Sequence, residues 1–373
     1  MNTVGSGSFF MRKAIVKSIT LLLIACVSAC APPPLQKKDD KIAAALADPQ
    51  TSFFEACRRG DIAMVMRLAE EKRIDVNQAD DYAWTGLMYA VQNGHTGLAE
   101  YFLLQKSQIN RQDGDGLTPL MIAANERHSD MVDLLLAFGA DPLLQDRHGY
   151  TALMWAIYNK SWDCIPPLLA EGKGLDVQNG FGETALHLAL DYHCSDIAGI
   201  LIRQNANVKF ADGRGRTPLH LAAERGDEDN AWLLLSRGAD ANAGDESGEN
   251  PLMKSIQSGN PDLALLLLPR TGNLQATNRE GRTALHLAVV RDLPDTAAAL
   301  IRRKADLNSS DEQGFTPLML AAESGSERMT VLLAERGADL KMKNKEGKTA
   351  LDLAREKSHG NIATYLERKM GKP

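Results

Sequence analysis

The stretch "RTPLHLAAERG", residues 216–226, places a turn breaker, a run of small residues, a histidine and a salt-bridge pair within eleven positions. A string this dense could be a reactive site built around His220 or one unit of a repeated scaffold. Marking the threonine of each similar string decides between them. Thr85, Thr118, Thr151, Thr184 and Thr217 are followed by Asn250 in the same slot, then by Thr283, Thr316 and Thr349, every step being 33 residues. A period of this size sustained over most of the chain marks a repeat architecture, in which each unit is one supersecondary element stacked on its copies.

One period shows what the unit does. In "DGRGRTPLHLAAERGDEDNAWLLLSRGADANAG", residues 212–244, Asp212 and Gly215 suit a tight turn, with glycine at the position of positive φ. Thr217 caps a helix, and Pro218 follows in the first turn, where a missing N–H costs nothing. Leu219, Leu221, Ala222 and Ala223 give that helix a small-residue face, and Gly226 ends it. A second helix carries Trp232, Leu233, Leu234 and Leu235 as its apolar residues and is closed by Gly238. Such a unit cannot bury its apolar face alone, so it must stack.

The 33-residue length and the T-P-L-H-x-A string resemble the ankyrin repeat. The resemblance covers residues 80–370, and "TSFFEACRRGDIAMVMRLAEEKRIDVN" from Thr51 reads as a degenerate first copy. About ten copies are expected, forming an all-α repeat solenoid over 50–370, with the charged last helix of "KTALDLAREKSHGNIATYLERK" as a C-terminal cap.

The N-terminal segment is of another kind. Residues 11–30, "MRKAIVKSITLLLIACVSAC", have a basic start, an apolar run too short to span a bilayer, and small residues at the end. Residues 1–29 are therefore expected to be a secretory signal, with Met11 the more natural start. "VSAC" resembles the bacterial lipobox, which implies that Cys30 is lipidated; "LIAC", ending at Cys26, is the weaker alternative, and ordinary cleavage to a soluble protein is the other. Residues 30–49, beginning "CAPPPLQKKDDK", would form a flexible tether. Because Ala31 is not the aspartate that favours inner-membrane retention, the resemblance implies an outer-membrane lipoprotein facing the periplasm of a bacterial cell envelope.

Composition excludes several functions. The whole chain carries a net charge of −6; without Arg12, Lys13 and Lys17 its basic residues fall from 42 to 39 against 48 acidic ones, a net charge of −9. An acidic body argues against nucleic acid, which selects a concentrated basic face. His187, His220 and His286 recur in one slot, so stacking separates them by about 10 Å or more, too far to share a metal. The ankyrin resemblance implies instead that each bonds to neighbouring backbone. Met88, Met121, Met154, Met253 and Met319 fill that slot elsewhere. Cys57 and Cys164 read as core, and a Cys164–Cys194 bridge is open in an oxidising compartment. No P-loop, zinc-protease or nucleophile-elbow motif is present. No enzyme, cofactor, metal or small-molecule substrate is expected.

What remains is a protein partner. Ankyrin arrays take partners on a concave face of turn tips and first helices, at positions four, three and one before the threonine and seven and eight after it. The resemblance places Tyr82, Trp84, Asp115, Leu117, Tyr150, Tyr158, Phe181, Asp191 and Tyr192 there in the early copies. Later copies place charges there: Arg214, Arg216, Glu246, Glu249, Arg279, Glu280, Arg282 and Glu312, with Phe315 alone. Exposed aromatic residues make hot spots, whereas a mixed charged face is usually only solvated. The expected function is a lipid-anchored interaction scaffold, the alternative a toxin-neutralising immunity protein in the periplasm; a host-directed effector fits an export signal less well. The glycine between the two helices is replaced by Arg127, Lys160 and His193 in three successive copies, and Pro166 and Pro167, inside a second helix, should kink it or delay its start. Residues 127–193 are therefore expected to be the most irregular stretch.

Overall fold

The computed structural model describes residues 49–71, 74–170 and 172–371. The segments 1–29 and 30–49, apart from Pro49, lie outside the described residues, and with them Cys30. Among the described residues twenty α-helices follow in pairs, ten pairs in all. The first four pairs are α1 (Pro49–Arg59) with α2 (Ile62–Glu71), α3 (Gly86–Gln92) with α4 (Thr96–Leu104), α5 (Pro119–Asn125) with α6 (Ser129–Ala137), and α7 (Ala152–Tyr158) with α8 (Ile165–Leu169). Six more continue: α9 (Ala185–Asp191) and α10 (Ser195–Arg203), α11 (Pro218–Arg225) and α12 (Glu228–Ser236), α13 (Pro251–Gln257) and α14 (Pro261–Leu267), α15 (Ala284–Val290) and α16 (Pro294–Arg302), α17 (Pro317–Ser324) and α18 (Glu327–Glu335), α19 (Ala350–Glu356) and α20 (Gly360–Lys369). Among the described residues there is no strand, only an isolated bridge between Ala79 and Thr85. The chain divides into two compact units. Unit 1 holds residues up to Arg147 with 151–171; unit 2 holds His148–Tyr150 and everything from Gly172.

Each periodic residue has a physical task. Thr118 Oγ1 accepts from the Met121 amide at 3.2 Å, and Asn250 does the same for Met253 at 2.9 Å, so asparagine replaces threonine without loss of the cap. Before each cap the turn is held by one side chain: Asp212 Oδ1 accepts from the amides of Arg214 and Arg216 at 2.9 and 2.8 Å. Successive turns within a unit are joined by one main-chain bond, as from the Glu246 amide to the Arg214 oxygen at 2.9 Å. That approach leaves no room at Gly215, where φ is +76° and a Cβ would stand 3.0 Å from the Glu246 nitrogen. First helices pack on first helices through alanines with no exposed surface, among them Ala90, Ala123, Ala222 and Ala322. Unit 1 has α1 on α3, α3 on α5 and α5 on α7; unit 2 has the series from α9 on α11 to α17 on α19.

The joint between paired helices explains the departures from glycine. Arg127, Lys160 and His193 do adopt positive φ, of 64°, 55° and 59°, but so do Asp292 and Ser358, so the departures are not confined to 127–193. The reason lies one repeat further on. A Cβ at Gly60, Gly94, Gly226 or Gly325 would stand 2.7, 3.2, 2.8 and 2.6 Å from His95, His128, Asn260 and His359 respectively. Those side chains reach back over the joint to bond main-chain oxygens, His95 to Arg58 at 2.8 Å and His359 to Glu323 at 3.1 Å. The slot following Arg127, His193 and Asp292 holds the short side chains of Ser161, Asp227 and Ser326, which leave room for a side chain.

Pro166 and Pro167 act as expected. A 3-10 turn, Trp162–Cys164, precedes α8, and the prolines fall in its first turn. A second 3-10 turn, Leu268–Arg270, follows α14 around Pro269, outside the stretch expected to be irregular. Trp232 stands on the surface. It is 61% exposed on α12, while Ala231 and Leu234 make the contact.

Candidate protein-interaction surface

The turn row and first helices carry the residues at which the sequence expects a partner. In unit 1, Tyr82 is 76% exposed at the tip of its turn. Trp84, half-buried, lies on Tyr89 with ring centroids 5.0 Å apart. The next turn holds Asp115, exposed and 3.6 Å from Arg147, and Leu117, half-buried. The structure brings these two turns together: the Gly114 amide donates to the Tyr82 oxygen at 3.1 Å. Tyr158 ends α7, 45% exposed, and meets Trp155 edge to face at 5.8 Å.

In unit 2, Tyr150 is half-buried in a turn joined to the next by a bond from the Gly180 amide to the His148 oxygen, at 2.7 Å. Phe181, on that second turn, is 60% exposed. Asp191, at the end of α9, takes a hydrogen bond from Arg225 and is therefore an ion-paired carboxylate. Tyr192 follows it, half-buried, as the C-cap of α9.

A slot that sequence reasoning passed over matters as much. Four residues after the cap most copies carry leucine: Leu188, Leu221, Leu287, Leu320 and Leu353. Tyr89, Ile122, Trp155 and Lys254 break that run, and the three that carry a donor, Tyr89, Trp155 and Lys254, are the signal that could have found them. Each reaches the second oxygen of its turn carboxylate. The Tyr89 hydroxyl donates to Asp80, Trp155 Nε1 to Asp146 at 3.0 Å, and Lys254 Nζ to Asp245 at 2.8 Å and to Glu249 at 2.6 Å. Arg58 lies over the Tyr89 ring, 4.4 Å from its centroid, and donates to the hydroxyl at 2.8 Å.

The recurring histidines are structural. His187, His220 and His286 accept at Nδ1 from the amides of Thr184, Thr217 and Thr283 at 3.1–3.2 Å. At Nε2 they donate to the oxygens of Arg216, Glu249 and Phe315 at 3.0–3.1 Å. Both nitrogens are thereby committed to the neutral ring, and burial lowers each pKa below its ordinary value. Cys57, Cys164 and Cys194 are buried thiols, not disulfides, so the Cys164–Cys194 bridge is not formed.

No group of three or more His, Cys, Asp or Glu among the described residues is arranged to hold a metal. Nor is any helix among them long and apolar enough to cross a membrane. A groove of about 560 Å³ in unit 2 is lined by Asp196, Arg203, Arg225 and Asp227, of which Arg225 and Asp227 bond within the scaffold. Asp227 accepts from the Ser195 hydroxyl at 2.6 Å and from Asn230 at 2.8 Å.

Comparison with known families agrees with this architecture. Residues 17–113, 87–173, 159–245 and 238–311 match the family described as ankyrin repeats (3 copies), and residues 300–354 the one described as ankyrin repeats (many copies). The chain belongs to the ankyrin repeat family. It is an all-α repeat protein of the kind that serves as a protein-interaction scaffold, a class that is typically non-enzymatic. No curated protein matches the chain.

Proposed function

We propose that this chain is a non-catalytic scaffold, anchored by lipid on Cys30 in a bacterial cell envelope, that takes a protein partner on its ring-bearing turns. The observation carrying the reading is the exposure of Tyr82, at 76%, and of Phe181, at 60%, at turn tips whose backbones are otherwise fixed. Large rings held on a rigid frame lose little conformational freedom on binding, so their apolar surface is available for affinity. The basic, apolar and small-residue succession of residues 11–30 supports export and lipidation, with the outer membrane facing the periplasm as the destination.

The test is a photo-reactive residue placed at Tyr82 or Phe181 in intact cells, with Trp84→Ala as the comparison. A discrete cross-linked partner that Trp84→Ala reduces supports the reading. No cross-link from either position, with one formed from a probe at Trp232 on the second helices, would overturn it. For the anchor, incorporation of a labelled fatty acid that disappears in Cys30→Ser is expected; labelling that persists would reject Cys30.

A further inference from the structure

The two units treat their turn carboxylates differently. In unit 2 every turn slot is neutral or matched by a cation. Asn179, Asn278 and Asn344 are amides; Asp212 meets Arg216 at 2.8 Å, Asp245 meets Lys254 at 2.8 Å, and Asp311 meets Arg282 at 3.4 Å. In unit 1, Asp80 is met by a neutral donor, the Tyr89 hydroxyl. Asp113 spends one oxygen on the amides of Asp115 and Leu117, and no described side chain pairs with the other. Its counterpart to Tyr89 is Ile122, which has nothing to donate. Among the described residues, exposed Asp81 adds a second carboxylate without an ion pair, and Asp115 is matched only by the exposed Arg147 at 3.6 Å. These charges flank Tyr82 and Trp84 on two turns that one main-chain bond holds together.

We propose that the turns Asp80–Trp84 and Asp113–Leu117 seat an extended, cationic segment of the partner protein. In this arrangement its Lys or Arg side chains meet Asp81, Asp113 and Asp115, and its aliphatic stems lie on Tyr82 and Trp84. The inference rests on the reading that partners dock on the ring-bearing turns, and it adds their chemistry. An acidic segment would be repelled, and a purely apolar helix would leave the carboxylates desolvated and unpaired. A guanidinium or ammonium gains both the carboxylate and the ring face. Successive repeats lie roughly 8–10 Å apart, and an extended chain advances about 3.3 Å per residue. Cations about three residues apart would therefore meet successive turns.

The test is fluorescence anisotropy of a short labelled peptide with Lys or Arg at every third residue, titrated with the full-length protein at low and at about 0.3 M salt. Its Glu counterpart is the control. Saturable, salt-sensitive binding of the basic peptide alone is expected. The triple variant Asp81→Asn/Asp113→Asn/Asp115→Asn should weaken it about tenfold, and Asp295→Asn in unit 2 should leave it unchanged. Asparagine is a safe replacement for Asp113, because Asn278 bonds the amides of Glu280 and Arg282 in the same way at 3.0 Å. Should the triple variant fold poorly, the exposed pair Asp81→Asn/Asp115→Asn carries the same test. Equal binding by wild type and variant, or binding of the Glu peptide, overturns the inference. If the partner cross-linked at Tyr82 is retained by the Asn variants and lost by Trp84→Ala, the docking site stands and its cationic partner does not.

Discussion

His220 ties two repeats together: its Nε2 donates to the main-chain oxygen of Glu249 across 3.0 Å while its Nδ1 accepts from the Thr217 amide at 3.1 Å. His187 and His286 repeat the arrangement with Arg216 and Phe315. Protonating Nδ1 would set a positive N–H against an amide donor inside the stack, so the bond geometry and the burial act in the same direction.

Acid lability follows with a defined sign. Burial lowers the three pKa values in the folded state, so the unfolded chain binds more protons below the ordinary histidine value near 6.5. Stability is complete above that value and falls as the pH drops toward the lowered native values. Urea unfolding between about pH 7.5 and 5 should show a declining midpoint. His220→Met, the residue other copies use there, should flatten the decline while lowering stability at neutral pH by about 1 kcal/mol for the lost bonds. An unchanged pH slope in that variant would reject the assignment.

Glycines at the helix joints should differ in cost according to the following repeat. Gly325→Ala meets the His359 ring at 2.6 Å, whereas Gly259→Ala, at the same φ region, meets nothing within 4 Å. Thermal melts should show about 1 kcal/mol lost at Gly259, from the left-handed conformation alone, and about twice that at Gly325. Adding His359→Ser should recover the excess but not the strain, a coupling readable as a double-mutant cycle. Equal losses at the two glycines would contradict this account of the joints.

Lys254 balances two carboxylates that have little other solvent. Its side chain is 15% exposed and those of Asp245 and Glu249 only 5% and 6%. Burial opposes the charged ammonium, but the hydrogen bonds to Asp245 and Glu249 outweigh it and raise the pKa. Lys254→Met leaves both acids without a cation and should cost about 3 kcal/mol. Lys254→Met/Asp245→Asn should return roughly half, since asparagine serves in that turn slot elsewhere. A loss below about 1 kcal/mol on chemical denaturation would show the triad to be solvated.

The buried thiols should be inert in the native protein. Burial pushes Cys57 up to about 12 and Cys164 up to about 11, so almost no thiolate is present near neutrality. Site-resolved mass spectrometry after brief treatment with a thiol reagent should find both unmodified, and labelled fully in denaturant. Labelling of Cys57 or Cys164 at the rate of a free thiol would mean that these repeats open readily.

The fold was legible because a repeated unit states its rules ten times over. Thr118 and Asn250 cap the same helix, Asp212 and Asn278 hold the same turn, and Ala222 permits the same close packing, all within one period of local sequence. Turn-tip residues such as Tyr82 and Phe181 were legible too, because a slot fixed by the period carries its exposure with it. Side chains that reach from one copy to another were not. That Arg127 could replace glycine was fixed by Ser161, 34 positions further on, and that Trp232 stands in solvent was fixed by which side of α12 meets its neighbours. The leucine slot held by Tyr89, Trp155 and Lys254 reads as core until the turn carboxylates are placed beside it. Sequence by itself determined the unit, its caps and its turns, because these depend on residues a few positions apart. Only the tertiary structure decided which charges are matched: Asp212, Asp245 and Asp311 meet cations while Asp113 does not, and an ion pair forms where side chains converge in space.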